Sequence, residues 1–155
     1  MFTLKGKIQF DPKMLTKKHE SQSSWKKTVL VEFNCDLCKY YTWFIDQKFN
    51  LKLDKPMRGT HFTLINDIID DEIYDQAREM FNGKEITIQY DPQIIRSNEK
   101  GFWWLKAYSV DAQNIRSVMG LDKPYFGFHI TIGLANNLYL DYSKFITNYC
   151  IKYEV

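Results

Sequence analysis

Two hydrophobic periods alternate along the chain. Residues 2–10, "FTLKGKIQF", place polar and apolar side chains in turn, and "TVLVEF" at 28–33 is a β-branched apolar run; both predict strands. Asn34 or Asp36 can then cap a helix to about Phe49, with Leu37, Tyr40, Tyr41, Phe44, Ile45 and Lys48 at helical spacing. Pro56 and Gly59 interrupt the chain before the strand "THFTLI" at 60–65. "DDEIYDQAREMF" at 70–81 predicts a helix, acidic at its start, where the helix dipole favours carboxylates, and ended by Asn82 and Gly83. "KEITIQYD" (84–91) and "GFWWLKAYSV" (101–110) alternate as strands around the turn "RSNEKG". "DAQNIRSVMG" (111–120) predicts a short helix capped by Asp111 and terminated by Gly120, and "YFGFHITIGLA" (125–135) a further strand. Residues 11–27 are polar and lysine-rich and read as a loop; 136–155 fit either a strand and turn or a terminal helix.

Two sections of this pattern match. Strand 28–33, a helix and the "HFTLI" strand form one strand–helix–strand unit; strand 101–108, a helix and the "HITIG" strand form another. Each ends in His-x-Thr: His61 with Thr63, and His129 with Thr131. Folded about a pseudo-twofold axis, the duplication would lay the two His-x-Thr strands side by side. Strand side chains two apart share a face. Phe62 and Leu64, like Phe126, Phe128, Ile130 and Ile132, therefore point into the core, while each His and Thr project together from the other side.

The chain has three histidines, and two of them occupy these matched positions, whereas His19 sits in the lysine-rich loop without such a context. Two imidazoles with two hydroxyls suit phosphodiester transfer. A neutral imidazole can take a proton from an attacking hydroxyl while a protonated one gives a proton to the departing oxygen, and an ordinary histidine pKa of about 6.5 lets both forms coexist near neutrality. The threonine hydroxyls can donate to phosphoryl oxygens as charge shifts. The scheme needs no metal.

At 155 residues, 45% hydrophobic and 26% charged, the chain has the balance of one globular domain spanning 1–155. A net charge of +2 is too small for a non-specific nucleic-acid coat, so DNA is not an expected partner. Three cysteines give no even disulfide framework, and the N-terminus reads as a strand rather than a signal peptide. With no apolar run of membrane-crossing length, these features lead us to expect a soluble cytoplasmic protein with no membrane partner. Cys35 and Cys38 form a lone C-x-x-C without further ligands at metal spacing, and read as structural.

The paired "HFTL" and "HITIG" motifs and the duplicated layout resemble the two-histidine phosphoesterase superfamily, over most of the chain. The resemblance implies an α+β, bilobal LigT-like fold of two pseudo-symmetric lobes around a central cleft. It also implies His61 and His129 as general base and acid, Thr63 and Thr131 as phosphate contacts, and no cofactor or metal. Size, the "KYYTWF" helix and the "GFWWLK" strand look most like the small phage anti-CBASS proteins. That likeness implies cleavage of cyclic di- and trinucleotide second messengers by attack of a 2′-hydroxyl on the adjacent 3′–5′ phosphodiester, in the cytoplasm of the infected bacterium. The alternatives are an RNA 2′,3′-cyclic phosphodiesterase and a non-catalytic protein that sequesters nucleotides.

Such a substrate needs aromatic platforms and some positive charge. In "GFWWLKAY", Trp103 falls on the apolar face, while Trp104, Lys106 and Tyr108 share the other, so Trp104 and Lys106 are candidate substrate contacts. Trp25, among serines and lysines, is a third, able to lie over a base. Arg58 could screen phosphate charge, and Tyr139, Tyr142, Tyr149 and Tyr153 could line the cleft.

Overall fold

The computed structural model describes residues 1–12, 27–56, 58–97, 101–135 and 152–154. Its elements follow the order β1 (Phe2–Phe10), β2 (Val29–Glu32), α1 (Leu37–Phe49), β3 (His61–Ile65), α2 (Asp71–Phe81), β4 (Glu85–Ser97), β5 (Phe102–Tyr108), α3 (Val110–Val118), β6 (His129–Leu134) and β7 (Lys152–Glu154). This is an α+β arrangement. Six strands build one antiparallel sheet in the order β3-β2-β1-β4-β5-β6, and β7 lies off this path, parallel to β4. Among the described residues no helix is long and apolar enough to cross a membrane.

The period-2 alternation of the strands sorts the sheet into two faces. Ile8, Val31, Phe62, Leu64, Ile88, Leu105, Ile130 and Ile132 are buried on one face, in a single core with Cys38, Tyr41, Ile45 and Phe49 of α1, Tyr74 and Ala77 of α2, and Ala112 and Ile115 of α3. The helices thus cover one side of the sheet. In α1 the buried stripe ends on Phe49 rather than on Lys48, which is exposed, and Tyr40 also faces outward. Trp103 is buried, as its place on the apolar face predicts.

Several details differ from the sequence expectation. The strand expected over 125–135 begins only at His129, because the chain turns at 125–126, and Phe126, expected in the core, is exposed there. Strand β4 runs through Pro92 to Ser97, because its pairing with β5 shifts register between Tyr90 and Ile94; a bulge tolerates the missing N–H of proline. Helix α3 is capped by Ser109, whose side chain accepts from the Ala112 N–H at 3.1 Å, while the Asp111 carboxylate instead accepts from the Thr87 N–H. Asp36 stands at the start of α1 but makes no cap bond; its carboxylate is paired with Lys39 at 2.7 Å. The Cys38 N–H is satisfied by the Thr60 hydroxyl, reaching over from the end of the segment before β3.

The sheet curls until its two edges meet. Cα atoms of β3 lie within 8 Å of Cα atoms of β6. Two contacts join the edges and two more brace them. The Phe62 and Phe128 rings pack at 5.1 Å between centroids. Cys38 bridges the strands, its N–H on the Thr60 hydroxyl and its Sγ donating to the Thr131 carbonyl at 3.3 Å. Asp54 pairs through its backbone with Leu134, the two N–H···O bonds measuring 2.9 and 3.0 Å, and Gly133 is required there because a Cβ would come within 2.7 Å of the Asp54 carbonyl. Finally, the buried Arg116 guanidinium of α3 donates to the Leu64 carbonyl of β3 and to the Asp67 carboxylate.

Candidate active site

The pairing register carries the two histidines onto one face. His61 lies opposite Glu32, Glu32 opposite Lys7, and Lys7 opposite Glu85. Two steps of two along β4 lead to Gln89, which faces Tyr108; one step back along β5 gives Lys106, which faces His129. Partners across a strand pair and residues two apart share a face. His61, Thr63, His129 and Thr131 therefore all project from the side of the sheet opposite the three described helices. All four are half-buried, with the apolar residues between them fully packed.

Because every neighbouring pair in the path is antiparallel, β3 and β6 run in opposite senses. Cys38 touches both Thr60 and Thr131, and Phe62 meets Phe128, so the His61 end of β3 lies alongside the Thr131 part of β6.

Each imidazole is held the same way. Nδ1 of His61 bonds to the Gly59 carbonyl at 2.8 Å, and Nδ1 of His129 to the Gly127 carbonyl at 3.2 Å. A carbonyl can only accept, so in the neutral ring the proton sits on Nδ1 and Nε2 keeps its lone pair. Gly127 has φ 67°, a left-handed conformation that a side chain would strain, and the turn it makes aims its carbonyl at the ring. The carbonyl acceptor has no signature in the side-chain pattern, which is why sequence reasoning missed this feature.

The surroundings of the two rings differ. Burial pushes the His61 pKa below the ordinary histidine value; the Gly59 carbonyl and the Glu32 carboxylate work against this shift, and the Arg58 guanidinium adds to it. Glu32 is the cross-strand neighbour of His61 and forms an ion pair with Arg58 at 2.9 Å. The sequence reading passed over Glu32, although a lone carboxylate in the apolar run "TVLVEF" was a signal available there. His129 has different company. Lys106 lies directly across from it, and the Trp104 ring meets the His129 imidazole edge-on at 5.5 Å. Trp104 also lies opposite Thr131, which puts two of the three candidate substrate contacts beside the second motif.

The third candidate, Trp25, lies outside the described residues, as do Tyr139, Tyr142 and Tyr149 and the side chain of Tyr153. Cys38 is buried and serves as the bridge described above, whereas Cys35 is exposed. Among the described residues no group of three or more His, Cys, Asp or Glu side chains is gathered as a metal ion would require.

Chemically, the face offers two ring nitrogens with free lone pairs, two hydroxyls that can donate, and a lysine. Such a set can move protons at a phosphorus centre. No protein-family model matches the chain, and neither a curated protein nor a solved structure is found similar to it.

Proposed function

We propose that the chain is a two-histidine phosphodiesterase, acting without a metal ion, that hydrolyses the 3′–5′ bonds of cyclic di- and trinucleotide second messengers and so counters bacterial CBASS immunity for a phage. The bilobal architecture with a central cleft belongs to the same reading, and the matched strand–helix–strand units around β3 and β6 support it. The observation that carries the proposal is the pair of imidazoles on the two sheet edges, each bonded through Nδ1 to a carbonyl two residues back, on one face of the sheet.

In this reading His61, kept neutral by its burial, accepts the proton of a ribose 2′-hydroxyl through Nε2. The 2′-oxygen forms a bond to the adjacent phosphorus as the bond from phosphorus to the 5′-oxygen breaks. His129, protonated, gives its Nε2 proton to that 5′-oxygen, and its Nδ1–H stays on the Gly127 carbonyl throughout. The Thr63 and Thr131 hydroxyls donate to the non-bridging oxygens. Water then opens the 2′,3′-cyclic phosphate with the proton roles reversed. Lys106 offsets phosphate charge, and Trp104, half-buried beside the His129 ring, steadies that ring and contacts the substrate.

The test is a panel of cyclic dinucleotides, cyclic trinucleotides and linear RNA with a 2′,3′-cyclic phosphate end, incubated with the protein in EDTA and resolved by chromatography. Linear products from the cyclic substrates support the proposal. Turnover of the RNA ends alone would replace the substrate class, and tight binding with no product would leave a sequestering protein.

A further inference from the structure

Beyond the two motifs, the same face continues into a cleft of about 820 Å³ where β5 ends and β6 begins. It shares two residues with the frame of His129: Lys106, its cross-strand neighbour, and Gly127, whose carbonyl holds its ring. Resting on the function proposed above, the geometry points to this cleft as a nucleoside subsite that takes a second nucleotide of the substrate, next to the one being cleaved.

Tyr108 lines the cleft at 40% exposure, with the Lys106 ammonium over its ring, so a base would stack on the side that Lys106 leaves. Base stacking on an aromatic ring suits any nucleobase. Gln89 lies directly across the strand pair from Tyr108, and Asn114 stands on α3 at the cleft wall, so amide donors and acceptors flank the platform where base edges would lie. Two cations border it: Lys106, with Nζ 5.6 Å from the Tyr108 ring centroid, and Lys123. A phosphate joining the base on Tyr108 to a nucleotide at His129 would pass Lys106. The acidic group in the lining, Asp111, has its carboxylate engaged by the Thr87 N–H at 3.1 Å, and the Ser109 hydroxyl donates to the Thr87 carbonyl at 2.8 Å. The wall is thus built before any ligand arrives. The volume lies in the range of small-ligand sites.

The experiment titrates AMP, GMP, CMP and UMP separately into the ¹⁵N-labelled full chain and follows amide shifts. At least one of the four should move the amides of Gln89, Ser109, Asn114 and Gly127 together. Tyr108→Ala should weaken that binding by about tenfold or more, while Tyr108→Phe, which keeps the ring, should hold the affinity. Shifts elsewhere only, or shifts in this cluster that Tyr108→Ala leaves unchanged, would overturn the subsite. Turnover measured alongside separates the two proposals. If cyclic nucleotides are cleaved and Tyr108→Ala does not raise KM, the subsite fails and the activity stands. If nothing is cleaved but the Tyr108-dependent shifts are seen, the activity fails and the subsite stands.

Discussion

The Phe62 ring of β3 packs against the ring of Phe128, the residue just before β6, at 5.1 Å, although the two strands lie at opposite ends of the six-strand order. Each ring is next in sequence to a motif histidine and points the opposite way, into the core. The contact therefore fastens the two histidine strands together from behind. Phe62→Ala should cost about 3–5 kcal/mol of stability by leaving a cavity in that seam. It should also lower turnover in the fraction that remains folded. A urea midpoint within error of wild type would remove the seam from this account.

The paired imidazoles lead to a sharper expectation. His61→Ala and His129→Ala should each reduce cleavage of cyclic nucleotides by roughly 10²–10⁴-fold or more, the usual weight of one general acid or base. Both side chains are half-buried and lie on the face opposite the apolar core, so thermal unfolding should shift little. Rates within tenfold of wild type in either variant would end the acid–base assignment.

Burial sets the direction of the pH dependence. The His61 pKa is depressed on folding, so the neutral ring persists to lower pH than an ordinary histidine allows. If His61 is the base, kcat/KM should fall on the acid side with a midpoint below about 6.5. The same sign applies to stability: the folded state loses stability as pH drops from the unfolded value through the depressed folded one. An acid limb centred above 6.5 would assign the base elsewhere.

Arg116 and Asp67 tie α3 to the far end of β3. The guanidinium is buried, bonded to the Leu64 and Asp122 carbonyls and at 2.7 Å to the Asp67 carboxylate. Arg116→Met leaves those acceptors unpaired and should cost about 3 kcal/mol. The Asp67 pKa is held down chiefly by its hydrogen bond from Arg116, so this stability is complete above the unfolded carboxylate pKa of about 3.9 and is lost as pH falls through the lower folded one. Asp67→Asn should flatten that acid limb in denaturation curves taken from pH 6 down to pH 2; an unchanged limb would contradict the coupling.

A substrate carrying 2′-deoxyribose at the cleavage position should bind with near-normal affinity and resist cleavage, since the attacking oxygen is gone. Ready hydrolysis would show that water attacks directly.

The amino-acid sequence alone determined the three described helices, the existence of strands β1 to β6 and the shared orientation of each His-x-Thr pair, because period-2 and period-3.6 burial is a local property that apolar spacing records; the ends of β4 and β6 it did not fix. It also placed Trp103 in the core and Trp104 and Lys106 on the opposite face. It could not name Ser109 as the cap of α3 or Thr60 as the partner of the Cys38 N–H, because several residues could serve and distant packing chose among them. The bulge that carries β4 past Pro92 was likewise settled by pairing with β5. Only the tertiary structure decided that β3 and β6 meet, through Phe62 on Phe128 and through Cys38 between Thr60 and Thr131. Those contacts join residues far apart in the chain, and the carbonyls that orient both imidazoles belong to the backbone, which every sequence shares.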